Sequence, residues 1–298
     1  MSHLTKSPVA VATRALGAAR LTLRCYAHKF SPKKYTQPQL FACLVLKVFF
    51  KTDYRGLAQL LTDLSDLRAA LGLQQVPHFT TLHKACRRLL TLRRADRLLS
   101  ITLRRLLGRR HRVRLAAFDS TGLECGRRSH YYVRRRAKGD SKAQKIRYSR
   151  YAKLEAAFEC GTHILLAAIP RRGPAVDTDR FVPLLDEALR RVKLTTALAD
   201  AGYDSEPNHK YARDQRGVRS VIPAKIGRPT EKPPTGRYRR RMKQRLNKDY
   251  CHYGQRWQAE SGFSMMKRRL GSYVRGHTYW SQCRDLMLLA ITYNLMLR

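Results

Sequence analysis

The chain reads as an α/β protein: a mixed sheet flanked by helices, preceded by a helical N-terminal region. Three observations lead there. Between residues 36 and 90, apolar positions recur at helical spacing between recognisable helix starts and stops. From residue 114 onward, short apolar runs of strand length alternate with amphipathic stretches, the pattern of a mixed α/β sheet. Hydrophobic residues make up 43% of the 298 residues, enough to build a packed core and too many for a disordered chain.

In the N-terminal part, Thr36 is placed to cap a helix with Pro38 in its first turn and an apolar run over residues 40–50. A second helix is expected over residues 54–61, and a third over 66–71, closed by Gly72. Thr80 or Thr81 can cap a fourth, with Leu82, Cys86, Leu89 and Leu90 facing inward and Lys84, Arg87 and Arg88 outward. Short helices joined by tight turns, the last one basic, suit a helix-turn-helix reader of DNA. The same pattern also fits a helical bundle with a solvated basic face. The first 34 residues contain no acid and are expected to form a basic arm.

In the C-terminal part, residues 113–118 read as a buried strand ending at the turn Asp119-Ser120-Thr121-Gly122. Residues 154–169 hold two apolar stretches around Cys160-Gly161-Thr162, which predicts a hairpin. Asp177-Thr178 is expected to cap an amphipathic helix carrying Phe181, Leu184, Leu185, Ala188, Leu189 and Val192 on one side. Residues 195–199 form another apolar run, ending in Asp200-Ala201-Gly202-Tyr203, and Asp204 or Ser205 caps the next helix. A last strand is expected at 218–223. Residues 224–249 lack any apolar period and read as an exposed basic loop, Arg239, Arg240 and Arg241 included. Two helices close the chain, over 250–270 and 282–297, the second apolar nearly all round and so buried. The domain division expected is a basic helical region at 1–110 and an α/β domain at 111–298.

Charge narrows the partners. Lys and Arg number 61 against 21 Asp and Glu, a net charge of +40, and an excess of that size repels itself unless a polyanion neutralises it. Residues 1–118 hold 23 of the cations and only four acids, so both parts are basic. No apolar run approaches the roughly 20 residues needed to span a bilayer, so no membrane partner is expected. The seven cysteines are odd in number, scattered, and form no C-x-x-C pair, which points away from a disulfide framework and from zinc, and to a reducing, cytoplasmic setting.

In a chain this short of acids, carboxylates embedded in apolar strands need a reason. Asp119 follows Leu115-Ala116-Ala117-Phe118, and Asp200 follows Ala197-Leu198-Ala199. Each alone could merely cap a turn. Two at the ends of separate apolar strands make a converging pair. Downstream, on a continuous helix at about 100° per residue, Tyr253, Arg256, Glu260 and Lys267 fall within an arc of about 60°. Trp257, Phe263 and Met266 flank that stripe, so the polar face is expected to look into a cleft. The plainer reading is a solvated Arg256–Glu260 pair one helical turn apart.

The spacing Tyr253-x2-Arg256-x3-Glu260-x6-Lys267 matches the Y-R-E-K motif of insertion-sequence DDE transposases, and the chain resembles that family from about residue 114 to its end. Asp200-Ala201-Gly202-Tyr203 is similar to the motif carrying the family's second catalytic Asp, and Asp119-Ser120-Thr121 to the strand-end Asp that carries the first. The resemblance implies a ribonuclease H-like domain in which Asp119, Asp200 and Glu260 are catalytic and hold two Mg²⁺ or Mn²⁺ ions, hard cations that prefer oxygen ligands. It implies divalent-metal-dependent cleavage at the ends of an insertion sequence and transfer of the 3′-hydroxyl into target DNA. Tyr253, Arg256 and Lys267 would grip phosphates, with Arg239, Arg240, Arg241, Lys84, Arg87 and Arg88 as further DNA contacts. The partners implied are the terminal inverted repeats, the target duplex and a second copy of the chain in the synaptic complex, with no small-molecule substrate and a bacterial, nucleoid-associated location. The alternatives are a catalytically inactive DNA-binding relic or regulator, and a basic RNA-binding protein. Only 59 residues separate Asp200 from Glu260, leaving little room for the β-rich insertion some relatives carry there.

Overall fold

The computed structural model describes residues 4–108, 111–125, 151–224, 233–246 and 250–297. Six helices come first: α1 (Pro8–Arg20), α2 (Gln37–Phe49), α3 (Tyr54–Asp63), α4 (Ser65–Leu71), α5 (Phe79–Leu89) and α6 (Leu92–Leu107). The Thr36 cap forms as expected: its hydroxyl accepts from the Gln39 N–H while the Gln39 side chain accepts from the Thr36 N–H. Gly72 ends α4 in the left-handed conformation, at φ +63°. Helix α5 begins earlier than expected, at Phe79, and His78 rather than a threonine precedes it. Residues 8–20 are not a loose arm. Ser7 caps them, Pro8 opens the first turn, and the small side chains of Ala12, Ala15 and Ala19 let α1 bury a face against its neighbours.

The second part is a six-stranded sheet. Its strands are β1 (Arg112–Cys125), β2 (Tyr151–Glu159), β3 (Leu165–Gly173), β4 (Lys193–Ala199), β5 (Arg219–Val221) and β6 (Tyr273–Val274). The order is β3-β2-β1-β4-β5, with β6 paired to the far end of β1. The first three strands are antiparallel, and β4 and β5 run parallel to β1. That order and those senses are the ribonuclease H-like arrangement expected from the motifs. Helices α7 (Phe181–Leu189), α8 (Glu206–Lys210), α9 (Arg237–Arg245), α10 (Tyr250–Tyr253), α11 (Trp257–Leu270) and α12 (Tyr279–Met296) complete the chain.

Several boundaries differ from expectation, each for a local reason. Residues 119–122 are not a turn, because β1 keeps its antiparallel partner β2 as far as Leu123. What stops near Asp119 is the neighbour on the other side, since β4 ends at Ala199, opposite Phe118. Asp177 does not cap α7; a 3₁₀ turn over Thr178–Arg180 intervenes, and the Asp177 side chain is used elsewhere. Of the stretch expected as a basic loop, 233–246 is described, and nine of those residues form α9, held by buried Tyr238 and Met242; residues 225–232 and 247–249 lie outside the described residues.

The two faces of the sheet are covered by different helices. Phe118 stands against Phe181 of α7, ring centroids 5.6 Å apart. On the other face Phe158 meets Phe263 of α11 edge-on at 5.0 Å, and Gly262 lets the helix come close, for a Cβ there would lie 2.8 Å from the Phe158 ring. Since strand residues alternate, Asp119 points to the α11 face. Helix α12 is buried from Leu286 to Met296 and packs on α6, on α1 and α2, and on β3. One hydrophobic core therefore runs through both halves of the chain.

Candidate active site

Asp119 and Asp200 come together through strand register. Phe118 pairs with Ala199 between parallel neighbours, so the next residue on each chain, Asp119 and Asp200, sits side by side about one strand spacing (~5 Å) apart. Each carboxylate is pinned by a backbone N–H, Asp119 Oδ1 by Ser120 at 2.8 Å and Asp200 Oδ1 by Gly202 at 2.9 Å. Both bonds use Oδ1. A Cβ at Gly202 would lie 2.9 Å from Asp200 Oδ1 and force that carboxylate to shift. Burial pushes the Asp119 carboxyl up to about 6; the Ser120 N–H and Arg256 oppose that rise, and Asp200 and Glu260 add to it.

Glu260 comes from α11, over the same face. Its carboxylate is exposed and accepts from Arg256 Nη2 at 2.6 Å. The helix expected to be continuous through this region is broken. Residues Gly254–Arg256 form a 3₁₀ turn between α10 and α11. Tyr253, Arg256 and Glu260 stay in company across the break: the Tyr253 hydroxyl is raised by burial and feels Arg256, Asp200 and Glu260. Lys267 lies two turns further along, half-buried, its ammonium disfavoured by burial and drawn back by Glu124 near the end of β1. It does not share the site of the carboxylates. Of the apolar flanks, Phe263 and Met266 are buried, whereas Trp257 is 51% exposed.

The other expected DNA contacts divide. Lys84, Arg87 and Arg88 are exposed on α5, and Arg240 and Arg241 on α9. Arg239 is engaged within the protein: Nε and Nη2 reach Asp204 Oδ2 at 2.9 and 2.8 Å. Of the two residues placed to cap α8, Asp204 is not the one used. Ser205 caps α8, and the fully buried Asp204 side chain holds Arg239 and lies 3.8 Å from His209.

A charged cluster that the motifs do not announce lies beneath the site. Lys153 and Glu155, at alternate positions of β2, are both buried. Arg171 Nη1 reaches Glu155 at 3.1 Å, and burial raises the Glu155 carboxyl. Lys153 pairs with Asp177 and donates to Ala175 O at 2.7 Å, and Ser120 Oγ donates to Asp177 Oδ2 at 3.3 Å. These groups lie on the α7 face, so Glu155 is not a neighbour of Asp119. They fix a loop that in turn holds the Asp200 turn, with Thr178 Oγ1 donating to Gly202 O at 2.8 Å and Asn208 Nδ2 to Thr178 O and Tyr203 O. Two charged residues at alternate positions inside an otherwise apolar strand, Lys153 and Glu155, were the available signal.

Three carboxylates in one locality form a hard oxygen donor set suited to a divalent cation. As they stand, no three His, Cys, Asp or Glu side chains among the described residues converge closely enough to hold one. The cation balancing the cluster in this state is Arg256.

Residues 111–295 match the model of the family described as "Transposase DDE domain". Among curated proteins none matches the chain. Among solved structures the chain is similar to one in the crystal structure of a pre-cleavage Mos1 transpososome, at 13% identity over 89% of this chain and 79% of that one. The TM-score of 0.22 is too low for that likeness to carry any weight. No helix among the described residues is long and apolar enough to cross a membrane. The matched region spans the whole sheet, the strands bearing Asp119 and Asp200, and the helix bearing Glu260: the chain belongs to the DDE-domain transposases.

Proposed function

We propose that the protein cuts DNA at the ends of an insertion sequence and joins the freed 3′-hydroxyl to target DNA, with Asp119, Asp200 and Glu260 holding two Mg²⁺ or Mn²⁺ ions. The observation that carries this is the side-by-side register of Asp119 and Asp200 on the face that α11 covers with Glu260. When bound, such ions supply Lewis acidity at the attacking and leaving oxygens of a phosphodiester. The protein's own residues do the rest. The Ser120 and Gly202 N–H groups hold the two aspartates in fixed rotamers. Asp119, pushed up to about 6, is eased toward its ionised form by any added positive charge. Arg256, once Glu260 turns to another partner, presents a planar fork matched to a phosphate beside the cut. Tyr253 lines the same cleft. Lys267, Lys84, Arg87 and Arg88 engage phosphates further away, and two copies of the chain bring two element ends together. The setting is the bacterial cytoplasm.

The test is an in vitro reaction on a labelled fragment ending in the flanking inverted repeat, with Mn²⁺ or Mg²⁺. Asp119→Asn, Asp200→Asn and Glu260→Gln are each expected to abolish cleavage and strand transfer while end binding persists. A variant that still joins ends removes its residue from the site.

A further inference from the structure

Helix α9 is a cationic element that the fold goes to unusual lengths to hold. Six of its nine residues are Arg or Lys, at positions 237, 239, 240, 241, 243 and 245. A helix that short, with like charges one turn apart, does not persist in water by itself. Three carboxylates in one short stretch bind it, in a chain that has only 21 acids for 61 cations. Glu206 accepts from the N–H groups of Tyr238 and Arg239, at 3.1 Å each, and so caps the helix from outside. Asp204, fully buried, takes Arg239 by two nitrogens. Asp214 accepts from the Tyr238 hydroxyl, and Arg213 lies over the Tyr238 ring at 5.2 Å. Met242 packs on Leu198 and Val221, with Tyr253 beside them. Leu198 pairs with Ala117 and so faces the same side of the sheet as Asp119.

This mounting sorts the arginines. Tyr238, Arg239 and Met242 lie within an arc of about 100° turned to the protein, and Arg237, Arg240, Arg241 and Lys243 spread over the remaining exposed side. Arg240 Nε also donates to Pro234 O at 3.2 Å.

We infer that α9 is a rail for the DNA backbone, fixed on the catalytic face, in which Arg237, Arg240, Arg241 and Lys243 grip phosphates and Arg239 is the pin that mounts it. This deepens the reading of the chain as a DNA-cutting enzyme and reassigns Arg239 from grip to anchor. Four cations held close together on a rigid support repel one another until a polyanion neutralises them, and the two backbones of a duplex offer phosphates at regular spacing.

The experiment measures binding to a labelled DNA duplex of arbitrary sequence over a range of salt, in EDTA. Each phosphate contact contributes about 0.9 to the slope of log affinity against log salt. Arg241→Ala and Lys243→Ala are each expected to lower that slope by about one unit. The paired change Asp204→Asn with Arg239→Gln, which removes the buried charge together with its partner, is expected to lower it by more than two, because the whole rail loosens. Arg237→Ala, Arg241→Ala and Lys243→Ala combined alter only exposed side chains and should lower it by about three, a readout that stands even if the buried pair proves needed for folding. An unchanged slope in the triple variant overturns the rail. A loss of one unit or less in the paired variant overturns the pin. Absence of metal-dependent cleavage would sink the enzymatic reading and leave this result untouched.

Discussion

At the level of single residues, buried charge is the theme, and His209 is the cleanest case. It has no solvent exposure, its Nδ1 lies 2.7 Å from Ser220 Oγ, and burial together with nearby Arg213 lowers it from 6.5 to about 4. Below pH 6.5 the unfolded chain takes up a proton that the folded chain refuses until about pH 4. The stability that His209 contributes is therefore complete above pH 6.5 and drains away on acidification toward pH 4, by at most about 3 kcal/mol. Urea titrations at neutral and mildly acid pH should show a larger fall for the wild type than for His209→Gln. Equal falls would mean the loss comes from elsewhere. No part of this was legible in the sequence, where His209 is one imidazole among ten. Asp119 and Asp200 were legible, because Asp at the close of an apolar run is costly to bury without a purpose. Asp204 is buried too, its cost offset by Arg239, a residue 35 positions away that pattern alone cannot pair with it.

Elements fared unevenly, according to whether their signal is local. Thr36 and Gly72 mark the start of α2 and the end of α4 by capping chemistry that depends on neighbours in sequence, and both stand where expected. Helix α9 escapes a pattern-based reading because its helicity comes from Glu206 and Asp204, which are distant in sequence and invisible to periodicity. The 3₁₀ turn at Gly254–Arg256 escapes it as well, and that turn decides the site, since it sets where α11 begins. That helix is located by Gly262 against the Phe158 ring, two residues after Glu260. A methyl group there has to displace a buried aromatic that also meets Phe263 and Tyr293. Gly262→Ala is expected to destabilise the fold by about 1–3 kcal/mol. It should also lower strand transfer more than end binding, because lifting α11 carries Glu260 away from Asp119. A variant with wild-type stability and turnover would show that this close approach does not hold the helix.

On the scale of the whole molecule, the sequence suggests a boundary near residue 110, where helical periodicity gives way to strands. The packing does not stop there. Helix α12, from the end of the chain, lies against α6, α1 and α2 on one side and β3 on the other, and Asn294 closes the β3 edge by bonding both the N–H and the C=O of Leu165. The chain's start is bound to its end, with Arg14 donating to the carbonyls of Leu295 and Leu297, and Thr5 N–H to Met296 O. Arg191 of the α/β part reaches across to Ser100 and Asp96 on α6. Removing either half would strip α12 of one wall of its burial, at roughly 25 cal/mol for every Å² of apolar surface exposed. The two halves are therefore expected to unfold together. Thermal denaturation followed by far-ultraviolet and near-ultraviolet circular dichroism should give coincident single transitions, measured at moderate salt so that the +40 charge is screened. Two separated transitions would mean that α12 belongs to one half alone.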